Sequence, residues 1–452
     1  MTVSRRDALA GALSLGGGLT LFGGLGTAAR LALAGTNPDL ADKYYLFCNF
    51  SGGWDVLLGL DPRDPDIFTS DRKLDTFIEP AYDQLFEQGK RPIDLGNGIA
   101  VGPYFGDLAD WIDRVCIVRG MSMDTLTHEA GLRRFLTGKP PSGLLARGSS
   151  MNTILAAQNG EPNPIPSLAM NCETYNADQP AFATALRVSS VDDLLRVLRP
   201  GEFDLSTAER ERIAALFAQH AACPASMAST WKTDSYGFRN SARDLVGQGL
   251  EALFDFNLST PEMVALRARY NISPYALSTP NAAAAMAATA ITSGISRTVS
   301  ITVATGLDTH YDDWERDQGP RQQTGFDLVA ALMADLDERE YQGTGESWLD
   351  HTVIVGFSEF SRTALRNSNS GRDHSLTNAC FLAGGGIVGG RVLGRSSDVG
   401  MAPQALDLAT GQYDPAGEIP KPEHIFRALL TDLGIDDDIA DLRVDPLTAL
   451  FG

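Results

Sequence analysis

The sequence predicts an α/β fold, with a central, mostly parallel sheet sandwiched between helices. Apolar, β-branched or aromatic runs recur at residues 44–50, 115–118, 299–304, 352–357 and 379–383. Each is apolar on both faces, as a strand buried inside a parallel sheet requires. Helical spacings lie between them: Phe326, Val329, Met333 and Leu336 recur at three-to-four intervals, as do Ile425, Phe426, Leu429, Leu430 and Leu433. The alanine-rich run 281–293 leads straight into the run at 299. Alternation of strand, helix and strand is the pattern of a sheet covered on both faces.

Residues 171–280 break that rhythm. Segments 191–198, 206–222 and 241–256 have the spacing of amphipathic helices, with many charges and little strand signal. They are expected to form a mainly helical insertion that caps one side of the sheet. No Pro/Ser-rich linker or internal repeat divides the chain, so residues 35–452 are expected to form one α/β domain carrying that insertion.

The first residues read differently again. Ser4-Arg5-Arg6 precedes an uncharged stretch from Ala8 to Ala29 rich in Gly, Ala and Leu, and Ala32-Leu33-Ala34 supplies small residues for cleavage. Residues 1–34 have the pattern of a twin-arginine signal peptide, which implies the translocase as a partner during export and a periplasmic or extracellular location afterwards. Removing three basic residues and one acidic one leaves 34 Lys+Arg against 56 Asp+Glu, a net charge of −22. Such a surface repels nucleic acid and anionic membranes, so no nucleic-acid role is expected, and an anionic substrate must be attracted by local cations or a metal. Five cysteines are too few and too scattered for a disulfide scaffold. Cys48, Cys116 and Cys380 lie in apolar runs as buried thiols, whereas Cys172 and Cys223 flank polar segments and can pair in an oxidising compartment.

The chemistry-bearing residues follow the apolar runs, where strand ends of an open α/β sheet share a crevice. After the first run, Gly52-Gly53-Trp54-Asp55 allows a tight turn and leaves Asp55 at the sheet edge. After the second, Thr127 is a candidate N-cap that places His128 at the positive end of a helix. Asp308 and His310 follow the run at 299–304; on an extended segment they share a face and, with His374, can chelate one ion. Glu359 lies just past the run at 352–357 and needs a partner if buried. Arg362 can supply that partner, or can hold an anionic substrate. Gly384-Gly385-Gly386-Ile387-Val388-Gly389 matches the spacing of a dinucleotide fingerprint, but Arg391-Val392-Leu393 after it has strand character. A glycine-rich hairpin is expected there, and no nicotinamide or flavin site.

As an ordered set, Gly52-Gly53-x-Asp55, His128 with Leu136-Thr137-Gly138, Gly306-x-Asp308-Thr309-His310, Ser358-Glu359-Phe360-x-Arg362, Gly371-Arg372-Asp373-His374 and the triple glycine resemble the domain-of-unknown-function family 1501. That family is placed in the alkaline-phosphatase and sulfatase superfamily. The resemblance implies an alkaline-phosphatase-like, mixed and mostly parallel sheet, metal positions at the strand ends, and hydrolysis or transfer of phosphate or sulfate esters. It implies Asp55 as the carboxylate toward a second metal, and Asp308, His310 and His374 as ligands of the first. Glu359 falls where the superfamily has the Asp of an Asp-His pair, and His128 falls at the nucleophile position. Three features depart from the superfamily pattern. A histidine replaces the Ser, Thr or Cys nucleophile, leaving Thr127 as the nearby hydroxyl; Phe360 replaces a metal-binding His; and Asp308 stands closer to His310 than usual. His128 can therefore serve as ligand, general acid/base or nucleophile.

The expectation is an exported hydrolase of anionic esters, with a divalent metal ion, zinc, manganese or iron, held among Asp55, Asp308, His310, Glu359 and His374, and with His128, Thr127 and Arg362 as candidate catalytic residues. The rival expectation is a non-catalytic envelope binding or assembly protein that keeps the fold.

Overall fold

A computed structural model describes residues 40–199, 206–221 and 249–451. The export signal expected over residues 1–34, the Cys223 partner of Cys172 and the start of the segment expected at 241–256 lie outside the described residues. Among the described residues, the centre is an eight-stranded sheet. Its strands are β1 (Tyr44–Phe50), β2 (Val115–Ser122), β3 (Ser167–Met170), β4 (Leu186–Val188), β5 (Thr298–Ala304), β6 (Thr352–Phe357), β7 (Thr377–Gly384) and β8 (Arg391–Leu393), in the spatial order β8-β2-β7-β6-β1-β5-β3-β4.

All neighbours pair in parallel except at β7, which runs antiparallel to both β2 and β6. The run at 379–383 is thus buried on both faces without being a parallel strand. Burial depends on position in the sheet and not on direction, so apolar pattern alone cannot separate the two cases. Nor do the triple glycine and β8 form a hairpin with β7. β8 lies beyond β2 and pairs with it in parallel, Arg391 opposite Cys116. Left-handed backbone at Gly384 (φ +67°) starts that crossover, and a Cβ there would sit 2.5 Å from the Thr352 carbonyl oxygen.

The major helices are α1 (His128–Thr137), α2 (Met151–Asn159), α3 (Val191–Leu198), α4 (Thr207–Ala221), α5 (Pro261–Arg269), α6 (Pro280–Thr292), α7 (Gly319–Asp337) and α8 (Pro422–Leu433). Helices cover both faces of the sheet, and β1 shows why its seven residues are all buried. Tyr44, Leu46, Cys48 and Phe50 point into a core shared with α3, α6 and α7, whereas Tyr45 and Phe47 point into a second core shared with α1, α2 and α8. Helix α6 starts where Thr279 accepts the Ala282 amide and Pro280 fills the first turn. Its alanines are all buried, and their small side chains let the helix lie close on β5.

Residues 171–280 contain α3 and α4 where the spacing at 191–198 and 206–222 predicts them, one helical turn at Glu251–Phe254 within the segment read at 241–256, and also α5 and β4, which their sequence did not announce. β4 is three residues long at the sheet edge, too short for a two-residue alternation to register. β3, four residues long, went unread for the same reason.

Candidate metal centre

The site forms at the edge where the parallel strands end. β1, β5 and β6 run directly into the segments bearing Gly52, Asp308 and Glu359, and β2 leads through residues 123–127 to α1. β7 contributes from its other end. Because it runs backwards, its start lies beside the end of β2, Thr377 opposite Ser122. The residues preceding β7 therefore arrive at the same edge. A short antiparallel ribbon, Ser361–Arg362 with His374–Ser375, sets His374 opposite Arg362.

Two glycines let the segments close up. Gly52 has φ +114°, and a Cβ there would lie 2.6 Å from the Leu307 nitrogen. Gly53 has φ +82°, and its Cβ would lie 2.5 Å from the Phe360 ring. Any side chain would push the β1 turn off the Asp308 segment and off Phe360. Helix α1 is pinned by Phe135, which stacks on Phe357 of β6 with ring centroids 4.3 Å apart. That contact sets the start of α1, where His128 stands, against the second residue after β6, Glu359.

Three imidazoles and one carboxylate converge. Asp308 Oδ1 lies 3.3 Å from His128 Nε2, 3.1 Å from His310 Nε2 and 3.6 Å from His374 Nε2. The Nε2 atoms of His310 and His374 are 2.9 Å apart. His128, Asp308 and His374 each offer a ligand atom within 4.8 Å of the other two. Phe360, fully buried, lies against the His128 ring at 4.7 Å and the His374 ring at 4.1 Å, forming an apolar wall.

Each imidazole is held from behind by an acceptor. His128 Nδ1 is 2.9 Å from Glu359 Oε1, His310 Nδ1 is 2.9 Å from Asp373 Oδ1, and His374 Nδ1 is 2.5 Å from the Leu126 carbonyl oxygen. A carboxylate or carbonyl can only accept, so in each neutral ring the proton sits on Nδ1 and Nε2 presents a lone pair. Three nitrogen lone pairs and the Asp308 oxygen thus face one another, with the Arg362 guanidinium reaching Asp308 Oδ1 and His310 Nε2 from one side. Buried His128 Nε2 has no hydrogen-bond partner. Donors at ~2.0–2.1 Å from a tetrahedral ion stand roughly 3.3–3.4 Å apart, close to the spacings around Asp308. The donor set, nitrogen-rich with one carboxylate, fits zinc, manganese or iron better than a hard oxygen-seeking cation.

Charge at the site follows from these contacts. The Glu359 carboxylate on Nδ1 raises His128 above the usual imidazole value, against the effect of burial. Burial pushes His374 below it, against the Leu126 carbonyl, and the Arg362 guanidinium works in the same direction as burial. Burial also opposes ionisation of Asp308, but Arg362 and the imidazoles outweigh it and hold the carboxyl below its ordinary range.

The remaining candidates sit outside the ligand cluster. Asp55 is fully buried; its Oδ2 takes the Arg372 guanidinium at 3.0 Å and the Trp314 indole N–H at 2.9 Å, and its Oδ1 accepts the Leu57 amide. Glu359 does not pair with Arg362. Its Oε1 accepts from His128 and from the Gly52 amide at 2.8 Å, and its Oε2 accepts from the Ser358 hydroxyl. Arg362 instead bonds Asp308 at 2.7 Å, reaches His310 Nε2 through Nη1 at 3.3 Å and donates to carbonyls of Gly52, Gly53, Leu307 and Arg372, which leaves its fork no room for a substrate anion. Thr127 occupies the N-cap position of α1 with an exposed side chain whose hydroxyl makes no cap bond. Asp373 and Arg372 were not assigned from sequence. The Asp immediately before His374 was the available signal for the first.

No curated protein matches the chain. Residues 45–410 match the family described as Protein of unknown function (DUF1501). That span takes in the whole cluster from Gly52 to His374, and the chain belongs to the DUF1501 family.

Proposed function

We propose that the protein is an exported, metal-dependent hydrolase acting on a phosphate or sulfate ester, built on an alkaline-phosphatase-like fold. The observation that carries the reading is the convergence of three Nε2 lone pairs on Asp308, each ring locked by an acceptor behind it. Acceptors facing acceptors at partly buried positions call for a cation between them. An ion there would polarise an ester oxygen or activate water. His128 and His374 keep their lone pairs aimed at the centre because Glu359 and Leu126 hold their other nitrogens. Arg362 fixes the Asp308 carboxylate. Phe360 excludes water from the inner side. The Ser4-Arg5-Arg6 leader supports export, and in that case the site is assembled before translocation.

A second reading, a non-catalytic envelope binding or assembly protein, draws on Arg362. Its guanidinium already neutralises Asp308, and a protonated His128 would complete the balance without any ion. One experiment separates the two: metal analysis of protein folded in its native host, followed by a phosphatase, phosphodiesterase and sulfatase panel. Stoichiometric metal with ester hydrolysis, both lost in Asp308→Ala, supports the hydrolase. Metal-free, inactive protein of unchanged stability supports the second reading.

A further inference from the structure

A groove of about 660 Å³ opens at the ends of β3 and β4 and under α3. It lies on the same sheet edge as the candidate centre, where α/β proteins bind ligands, and its size is that of a small-molecule site. Buried Cys172 stands in its wall, its thiol pushed up to about 12 by burial. Glu173, also in the wall, reaches Arg133 of α1, the helix that begins at His128.

The charges lining the groove are not equivalent. Glu173 bonds the Tyr175 hydroxyl and lies 3.5 Å from Arg133. Asp193 bonds Ser189 and pairs with Arg196 at 2.9 Å. Arg187 is exposed, and among the described residues no carboxylate pairs with it. In a chain of formal net charge −20, an unengaged guanidinium at a groove is a local reversal of sign. Val188 and Val197 supply apolar surface next to it.

We propose that this groove, on the same sheet edge as the candidate metal centre, is a subsite that takes the non-reacting part of the substrate through a carboxylate, sulfate or phosphate group on Arg187. The substrate class is then an ester bearing a second anionic group next to an apolar body. This rests on the hydrolase reading for the word substrate, but not for the binding itself.

Calorimetry on the mature full-length protein tests it, with isophthalate as the anionic probe and uncharged benzamide as its control. Isophthalate should bind and benzamide should not. Arg187→Ala, and separately Val197→Trp to fill the groove, should each weaken isophthalate by about tenfold or more, the scale of a charge-assisted hydrogen bond. Asp308→Ala should bind it within about twofold of the parent. Equal affinity in the parent and Arg187→Ala, including no binding in either, overturns the subsite. So does binding lost in Asp308→Ala and kept in Arg187→Ala, which would place the anion at the metal centre. Metal content and ester hydrolysis, measured on the same Asp308→Ala sample, judge the hydrolase reading separately.

Discussion

Glu359 and His128 are joined at 2.9 Å through Oε1 and Nδ1, and the same oxygen anchors the Gly52 amide at 2.8 Å. One carboxylate therefore orients an imidazole and fixes the turn after β1. Glu359→Gln keeps the shape but removes the charge that makes His128 a strong donor. Metal affinity should fall about 10- to 100-fold, read by competition against a chelator, while the unfolding midpoint changes little. Unchanged affinity would mean that His128 is not a ligand.

Asp55 and Arg372 form an ion pair with neither side chain exposed. Breaking it strands a buried guanidinium. Asp55→Ala should cost about 3–5 kcal/mol in urea unfolding, yet leave metal per folded molecule unchanged. A drop in metal content without a stability loss would return Asp55 to the ligand set.

Gly53→Ala tests the close approach of the β1 turn. A Cβ at φ +82° meets both an unfavourable backbone region and the Phe360 ring. We expect a loss of at least about 2 kcal/mol. Near-UV circular dichroism should change as Phe360 shifts. Wild-type stability and spectrum in Gly53→Ala would show that the turn has slack.

Acid should weaken the fold through Asp61. Burial opposes its ionisation, but Arg63 at 2.8 Å, Arg119 and the Ser396 hydroxyl hold its carboxyl below the ordinary range. A depressed carboxylate contributes stability that is complete above the unfolded value near ~3.9 and is lost as pH falls through the lower folded value. Asp61→Asn should therefore be less stable than the parent at pH 6, and the gap should narrow below about pH 4. Urea midpoints from pH 6 to 2 would show this, and a gap independent of pH would refute it.

The sheet's inner strands were legible because burial on both faces leaves a long apolar signature, as at 44–50 and 352–357. Direction was not: β7 carries the same signature as its parallel neighbours. The edge strand β4 fell below any readable period, whereas the equally short β8 was read as strand at Arg391–Leu393 but not in its place in the sheet. At the site, Asp308, His310 and His374 could be grouped from their places after or before apolar runs. The pairing of carboxylates could not. Glu359 and Asp55 each follow a buried strand, yet one faces His128 and the other Arg372, because side-chain partners are set by segments more than 200 residues away: His128 and Glu359 stand 231 positions apart.

The reversed strand has a consequence for how the protein is made. His374 is locked by the carbonyl of Leu126, 248 residues earlier in the chain, and it arrives only through the start of β7. While the chain is being synthesised, His128 waits without Asp308 and Glu359, and those wait without His374. Such long-range closure is slow and comes late. No fragment ending before His374 holds the full donor set, and until β7 pairs with β2 nothing sets His374 against Leu126, so an ion that requires all of it would bind only the finished fold, and by mass action would stabilise that fold over every truncated or half-assembled chain.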